Sequence, residues 1–260
     1  MGKNYAKSLT MTVGVLAIMG MAACSSAGTP SDATTSGDAG QPSKSSATDS
    51  GTGDSGATDA IEDWALTTPG ASGSVDSVRW GLVYEPTSLE PAKAAGYSEN
   101  EVLSNMCDTL RQEQPDFSFE DLLATTSSPN DKTWVYDIDP AATFWDGTPV
   151  TAEDVAWSLN RHLDPEVGSY WGFYFRSVDS IEVTGDRQVT VHLVEPDWLF
   201  NVGMATPAGM VLKKSALEGA EGALGTSTSP YMCSGPYELD TWTAGQSIVL
   251  KANPNYWKQD

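Results

Sequence analysis

Histidine, cysteine and positive charge are the scarce features of this 260-residue chain. It has two histidines and three cysteines, and its 14 lysines and arginines face 35 aspartates and glutamates, a formal charge of -21 at pH 7. So acidic a chain repels phosphate backbones, which excludes nucleic acid as a partner. The carboxylate excess fits a surface kept soluble outside the cell and weakly favours cationic or zwitterionic ligands. The signatures of common catalytic sites are missing too: there is no P-loop, no HExxH, no GxSxG and no cysteine pair at zinc spacing. His162 and His192 have no second metal-type ligand at useful local spacing and read as surface or packing residues. Neighbouring carboxylates such as Glu153 and Asp154 suit the positive end of a helix dipole. No enzyme, metal or cofactor is implied.

What is present begins with an address. Lys3 and Lys7 precede an uncharged apolar run, Leu9 to Ala23, which ends on Met21-Ala22-Ala23 directly before Cys24. The run is too short for a comfortable membrane span and has the three-part layout of a secretion signal. Small residues ending on a cysteine resemble the bacterial lipoprotein signal, in which Cys24 would carry lipid and become the mature N-terminus. An ordinary signal peptide or a membrane anchor with an incidental Cys24 is the plainer reading. From Ser25 to Ala60 there is no Val, Ile, Leu, Met, Phe, Trp or Tyr. Such a stretch cannot bury enough apolar surface to offset the entropy of ordering, so 24–74 is expected to be a disordered tether. Gly53-Asp54-Ser55-Gly56 looks like a protease nucleophile segment, but it lies inside this tether without a rigid scaffold or an oriented base.

Aromatic residues are dense from Trp64 to Trp257, and residues 75–260 are long enough for one large domain or two small ones. Val78, Trp80, Leu82 and Tyr84 alternate, predicting a half-buried strand that ends at Glu85-Pro86. Ser98-Glu99-Asn100-Glu101 has the capping-box pattern, opening a helix with Val102, Met106 and Leu110 on its buried stripe and Cys107 beside it. Trp134, Tyr136 and Ile138 mark a second strand, Asp146-Gly147 a turn, and Thr151 the cap of a helix whose core face is Val155, Leu159 and Leu163. Residues 178–183 and 188–194 around Gly185-Asp186 predict a hairpin facing Val189, Val191 and Leu193 inward, and 247–251 a late strand closed by Asn253-Pro254. No repeat period is visible. Tyr170-Trp171-Gly172-Phe173-Tyr174-Phe175 packs five rings without helical or strand period, which suits either core or a binding cleft. Cys107 and Cys233 are left over after Cys24, as a disulfide or as two buried thiols.

Three motifs carry a family resemblance. The run from Phe144-Trp145-Asp146-Gly147 through Thr151-Ala152-Glu153-Asp154-Val155 to Leu159 resembles the signature of the family 5 extracellular solute-binding proteins, the peptide, dipeptide and nickel receptors of ABC importers. Ser234-Gly235-Pro236-Tyr237, followed by Trp242, Gly245-Gln246 and Asn253-Pro254-Asn255-Tyr256-Trp257, resembles their second landmark. Ser88-Leu89-Glu90-Pro91-Ala92 matches the segment after their first strand, where Asp is commoner than Glu90. The matches keep the family's order. The resemblance implies a mixed α/β, type II periplasmic-binding-protein-like receptor with two lobes closing on a ligand. This chain would hold the N-terminal portion, most of lobe I with an inserted subdomain at about 112–205. It further implies a monomer that takes a peptide or other small solute, an ABC permease partner, and a lipid-anchored place on the outer face of the membrane. Ligand contacts are expected from Tyr84, Thr87 and Ser88, from Tyr231 and Met232, and from Tyr170 and Trp171 if the rings line a cleft. The resemblance places Cys107 and Cys233 in one lobe, favouring the bridge. The alternatives are a surface-anchored interaction module that captures no ligand, and an extracellular hydrolase, which the missing catalytic motifs disfavour.

Overall fold

The computed structural model describes residues 73–258. The signal segment 1–23, Cys24, Gly53–Gly56 and almost the whole tether lie outside the described residues. In chain order the elements are α1 (Tyr97–Met106), β1 (Arg111–Glu113), β2 (Phe119–Asp121), β3 (Ala124–Asn130), β4 (Thr133–Ile138) and α2 (Ala152–Asn160). A 3-10 helix (Tyr170–Phe175) leads to β5 (Val178–Gly185), β6 (Gln188–Leu193), α3 (Trp198–Gly203), α4 (Lys214–Leu217), β7 (Tyr237–Thr243) and β8 (Ser247–Ala252).

β3, β4, β6 and β5 form an antiparallel sheet in that order, and β1–β2 and β7–β8 are separate two-stranded ribbons. Alternation in β4 and β6 does what the sequence predicts. Trp134 lies opposite Val191 and Tyr136 opposite Val189, so one face of both central strands is apolar. That face joins Val155 and Leu159 of α2, Phe144, Phe175, Phe200 and Met204 in the first core cluster. Tyr136 is fully buried there, and its hydroxyl donates to Asn201 Oδ1 at 3.0 Å. Thr151 caps α2 in a capping box: its hydroxyl accepts from Asp154 N, and the Asp154 carboxylate accepts from Thr151 N at 3.1 Å. A second cluster gathers Leu89, Val102, Leu103, Met106, Trp145, Met210 and Leu217, with Leu239, Trp242, Ile248 and Leu250 of the β7–β8 ribbon packed against it.

Four expectations need correction. The segment 78–84 forms no strand; Val78, Trp80 and Val83 are 73%, 75% and 80% exposed. Alternation yields a strand only where a neighbour takes up the backbone hydrogen bonds, and among the described residues none lies alongside. Ser98 caps nothing. The N-cap of α1 is Gly96, and Ser98 and Glu99 turn inward to serve the preceding segment. Ser98 Oγ accepts from Tyr84 N at 3.3 Å, and the Glu99 carboxylate accepts from Thr87 N, Thr87 Oγ1 and Tyr84 Oη at 2.9–3.0 Å. Burial works to raise the Glu99 carboxyl, but these bonds outweigh it and hold it below its ordinary value. Leu110 and Leu163 fall beyond their helices: Leu110 packs in the first core cluster, whereas Leu163 follows the C-cap Arg161 and is exposed. The ring-rich run 170–175 is a 3-10 helix, started by Ser169 Oγ accepting from Trp171 N.

Cys107 and Cys233 are joined in a disulfide, with Cα atoms 4.9 Å apart. The bridge pins the end of α1 to the irregular segment that enters β7. Beside it the backbones meet directly, with Gly235 N donating to Met106 O at 2.9 Å. A Cβ on Gly235 would lie 2.5 Å from the Met106 carbonyl, so only glycine fits this crossing. His162 is buried against Phe175, ring centroids 4.7 Å apart, with Nδ1 at 2.7 Å from Ser169 Oγ. Burial first, and the Arg161 charge second, push its imidazole down to about 4, so it packs as a neutral ring.

Asp108, next to the bridge, is buried and accepts from Trp257 Nε1 at 2.8 Å. Burial pushes its carboxyl up to about 6, against the bonds from Trp257 and Tyr256 and the charge of Lys258. Between pH 4 and 6 the folded chain therefore keeps a proton that the unfolded chain releases. Its contribution to stability falls as pH rises through that window, by about 3 kcal/mol at neutral pH. Asp108→Asn is expected to be more stable than wild type by about 1–3 kcal/mol at pH 7.5 and no more stable at pH 4. Urea denaturation at the two pH values checks this, and an equal effect at both would contradict it.

Candidate ligand-binding site

A cavity of about 550 Å³ opens between three stretches of chain, one of them more than eighty residues before the other two. Trp145 and Asp146 come from the turn before α2, Tyr231 and Met232 from the irregular segment leading to the disulfide, and Glu238, Asp240 and Trp242 from β7. Ser227, Ser229, Thr241 and Thr243 add hydroxyls to its wall.

Each wall is held by local chemistry. Asp146 Oδ1 accepts from Thr148 N at 3.1 Å and Thr148 Oγ1 at 2.6 Å, and Gly147 takes φ 76°, so the Asp-Gly pair makes the expected tight turn. The other Asp146 oxygen is ion-paired with Lys213. Burial works to raise the Asp146 carboxyl, but the bonds from Lys213 and Thr148 outweigh it and keep it below its ordinary value. Trp145 N donates to Cys233 O at 2.9 Å, and Lys213 N to Met232 O at 3.1 Å, which lock the second wall to the first. In β7 the register shifts between Leu239 and Thr241, leaving Asp240 as the extra residue of a bulge. Burial, with the charge of Glu90, pushes the Tyr231 hydroxyl up, so it stays protonated.

Of the residues expected from sequence, Tyr231 and Met232 line the cavity. Tyr84, Thr87 and Ser88 do not. Tyr84 and Thr87 hydrogen-bond to Glu99 of α1, and Ser88 Oγ accepts from Glu90 N at 3.1 Å. Glu85, between them, ties that segment to the cavity's outer wall: its Oε1 accepts from Gly245 N at 2.8 Å and Trp242 Nε1 at 3.3 Å. Tyr170 and Trp171 are not in the wall either. Trp171 Nε1 donates to Pro91 O and Ala94 O, both at 3.1 Å, and Tyr170 N donates to Ala92 O at 2.9 Å. The aromatic run is thus divided: Phe175 is core, Trp171 and Tyr174 are half-buried against it, and Tyr170 and Phe173 are exposed.

Sequence reasoning missed Trp145, Asp146, Glu238, Asp240 and Trp242 as wall residues. All five lie inside or beside the motifs that identified the fold, where turn and strand roles had already accounted for them. Among the described residues no group of His, Cys, Asp and Glu could hold a metal ion, and no helix is long and apolar enough to cross a membrane.

Comparison with known proteins agrees with this architecture. The model of the family described as "Bacterial extracellular solute-binding proteins, family 5 Middle" matches residues 118–260. The periplasmic oligopeptide-binding protein OppA of Escherichia coli is 27% identical over 191 residues, covering 66% of this chain and 35% of its own. The probable D,D-dipeptide-binding periplasmic protein DdpA of the same species is 31% identical over 188 residues, covering 68% and 36%. The chain thus spans about a third of the length of these relatives. Among solved structures, the E. coli murein tripeptide binding protein MppA superposes with a TM-score of 0.60 at 24% identity, covering 66% of this chain and 37% of that one. AgaA in complex with agropinic acid, from A. tumefacien R10, gives a TM-score of 0.61 at 28% identity, covering 67% and 35%. The fold is the mixed α/β fold of type II periplasmic binding proteins. Motif order, fold and family match agree, and the chain belongs to the family 5 bacterial extracellular solute-binding proteins, which are binding proteins and not enzymes.

Proposed function

We propose that this chain serves as the substrate-binding component of an ABC importer, capturing a peptide or similar small solute outside the cell for a membrane permease. The observation that carries this reading is the cavity walled by Tyr231, Met232 and β7 within a solute-binding fold. Relatives named for oligopeptides and D,D-dipeptides, and a structural neighbour holding agropinic acid, support small zwitterionic or charged solutes as the class. Lipid at Cys24 and a tether with no large apolar side chain from Ser25 to Ala60 would keep the receptor beside its permease.

Thermal shift of the full chain against tripeptides, nickel chelates and sugars tests capture. The expected result is a rise in melting temperature with peptides that grows with ligand concentration. No shift with any of the three classes would count against the receptor reading. Membrane fractionation tests the anchor: Cys24→Ser should move the protein from the membrane to the soluble fraction.

A further inference from the structure

We propose that Glu85 is a positioning residue for the ligand cavity, setting how far the β7–β8 ribbon stands from the wall at 231–232. This rests on the receptor reading above and adds a residue outside the wall that governs the site. The ribbon supplies Glu238, Asp240 and Trp242 to the wall. It packs on the second core cluster through Leu239, Trp242, Ile248 and Leu250, and apolar contacts of this kind have no fixed direction. Directed contacts are fewer. Among the described residues, the two hydrogen bonds that tie 237–252 to a distant part of the chain both end on Glu85. Its Oε1 accepts from Gly245 N, at the turn of the ribbon, at 2.8 Å and from Trp242 Nε1, in the wall itself, at 3.3 Å.

Glu85 itself is held from the other side. Tyr84 Oη, Thr87 N and Thr87 Oγ1 donate to the Glu99 carboxylate at 2.9–3.0 Å, and Tyr84 N donates to Ser98 Oγ at 3.3 Å. Pro86 is buried and confines the Glu85 backbone to extended conformations. Ser98 and Glu99 belong to α1, and the disulfide joins the end of α1 to Cys233, the residue after Met232 in the wall. The connections close a ring around the cavity: from the 231–232 wall through the disulfide to α1, from α1 through Glu99 to Glu85, and from Glu85 to the ribbon and the β7 wall. Glu85 is the point where that ring depends on one side chain. Without its acceptor oxygen the ribbon keeps its apolar packing, but neither its turn nor the Trp242 indole has a fixed partner. Exposed hydrogen bonds contribute modestly, so the expected loss is severalfold in affinity and not loss of the fold.

The test uses the full chain as wild type, Glu85→Ala and Glu85→Gln, the last keeping an acceptor oxygen at the same reach without the charge. Calorimetric titration with a tripeptide gives affinity, and hydrogen exchange of the ligand-free protein follows the Gly245 amide, which donates to Glu85. Glu85→Ala should bind the tripeptide about fivefold more weakly, with faster exchange at Gly245 and a melting temperature within about 2 °C of wild type. Glu85→Gln should restore affinity to within about twofold of wild type and restore protection at Gly245. Wild-type affinity in Glu85→Ala would overturn the positioning role and leave the receptor reading standing. So would an equal loss in both variants, or a loss with unchanged Gly245 exchange, since Glu85 would then act through its charge or on the ligand and not through the ribbon. If wild type binds no tripeptide, the receptor reading falls and this role falls with it.

Discussion

Replacing both Cys107 and Cys233 with alanine should lower the melting temperature by roughly 10–15 °C, the counterpart of about 3–5 kcal/mol for a bridge closing so long a loop. The two cysteines are 126 residues apart, so the bridge removes much of the freedom of the unfolded chain. Its position gives the loss a second consequence. Cys233 follows Met232 in the cavity wall, and its carbonyl receives Trp145 N from the opposite wall. Releasing it should loosen the cavity before it unfolds the sheet, whose core cluster does not include either cysteine. Calorimetry with and without a thiol reductant, and on the double alanine variant, measures the effect. An unchanged transition in both would show that the bridge contributes nothing.

The second large effect is expected at Glu90 and Arg161. The Glu90 side chain has no exposed surface and that of Arg161 has 10%, and the two are directly ion-paired. The guanidinium also lies over the Trp157 ring at 5.0 Å, and Lys93 Nζ reaches the other Glu90 oxygen at 3.1 Å. Arg161→Met would leave a buried carboxylate with only the partly exposed Lys93 to answer it, at a cost of about 3–5 kcal/mol. The pair Lys251–Glu238 makes a useful contrast. Its lysine is 56% exposed, and removing it should cost under about 1 kcal/mol in stability. Combining Arg161→Met with Glu90→Leu should recover much of the loss, because the stranded charge is then gone. Urea denaturation of the single and double variants checks this. Additive losses in the double variant would mean that the two side chains act independently.

Glu90 also shows how a motif position can mislead. From sequence it was a departure from a commoner aspartate. In the structure the longer side chain reaches Arg161 on a different element, 71 residues away. The sheet was legible because β4, β5 and β6 are hairpin-linked or adjacent strands with a clear two-residue period, and each supplies the others' partners. The same period at 78–84 gave the wrong answer, since it speaks for a face and not for a neighbour. Likewise Thr151 and Ser98 both open plausible capping boxes, but Glu99 beside Ser98 is claimed by Thr87 and Tyr84 and the cap passes to Gly96. The cavity was the least legible part. One wall lies more than eighty residues before the other two, and its carboxylates sit where turn and strand propensity already explained them. Only Tyr231 and Met232 were read in advance, through the resemblance and not through any local pattern.

In the proposed receptor, solute enters between the 227–232 stretch and β7. Hydrogen exchange on the full chain, with and without a tripeptide that raises its melting temperature, locates the bound ligand on the backbone. If the cavity receives the solute, amides in 227–232 and 238–243 slow on binding while those of the 3-10 helix at 170–175 do not. Slowing at 170–175 or 84–88, with no change from 227 to 243, would contradict it.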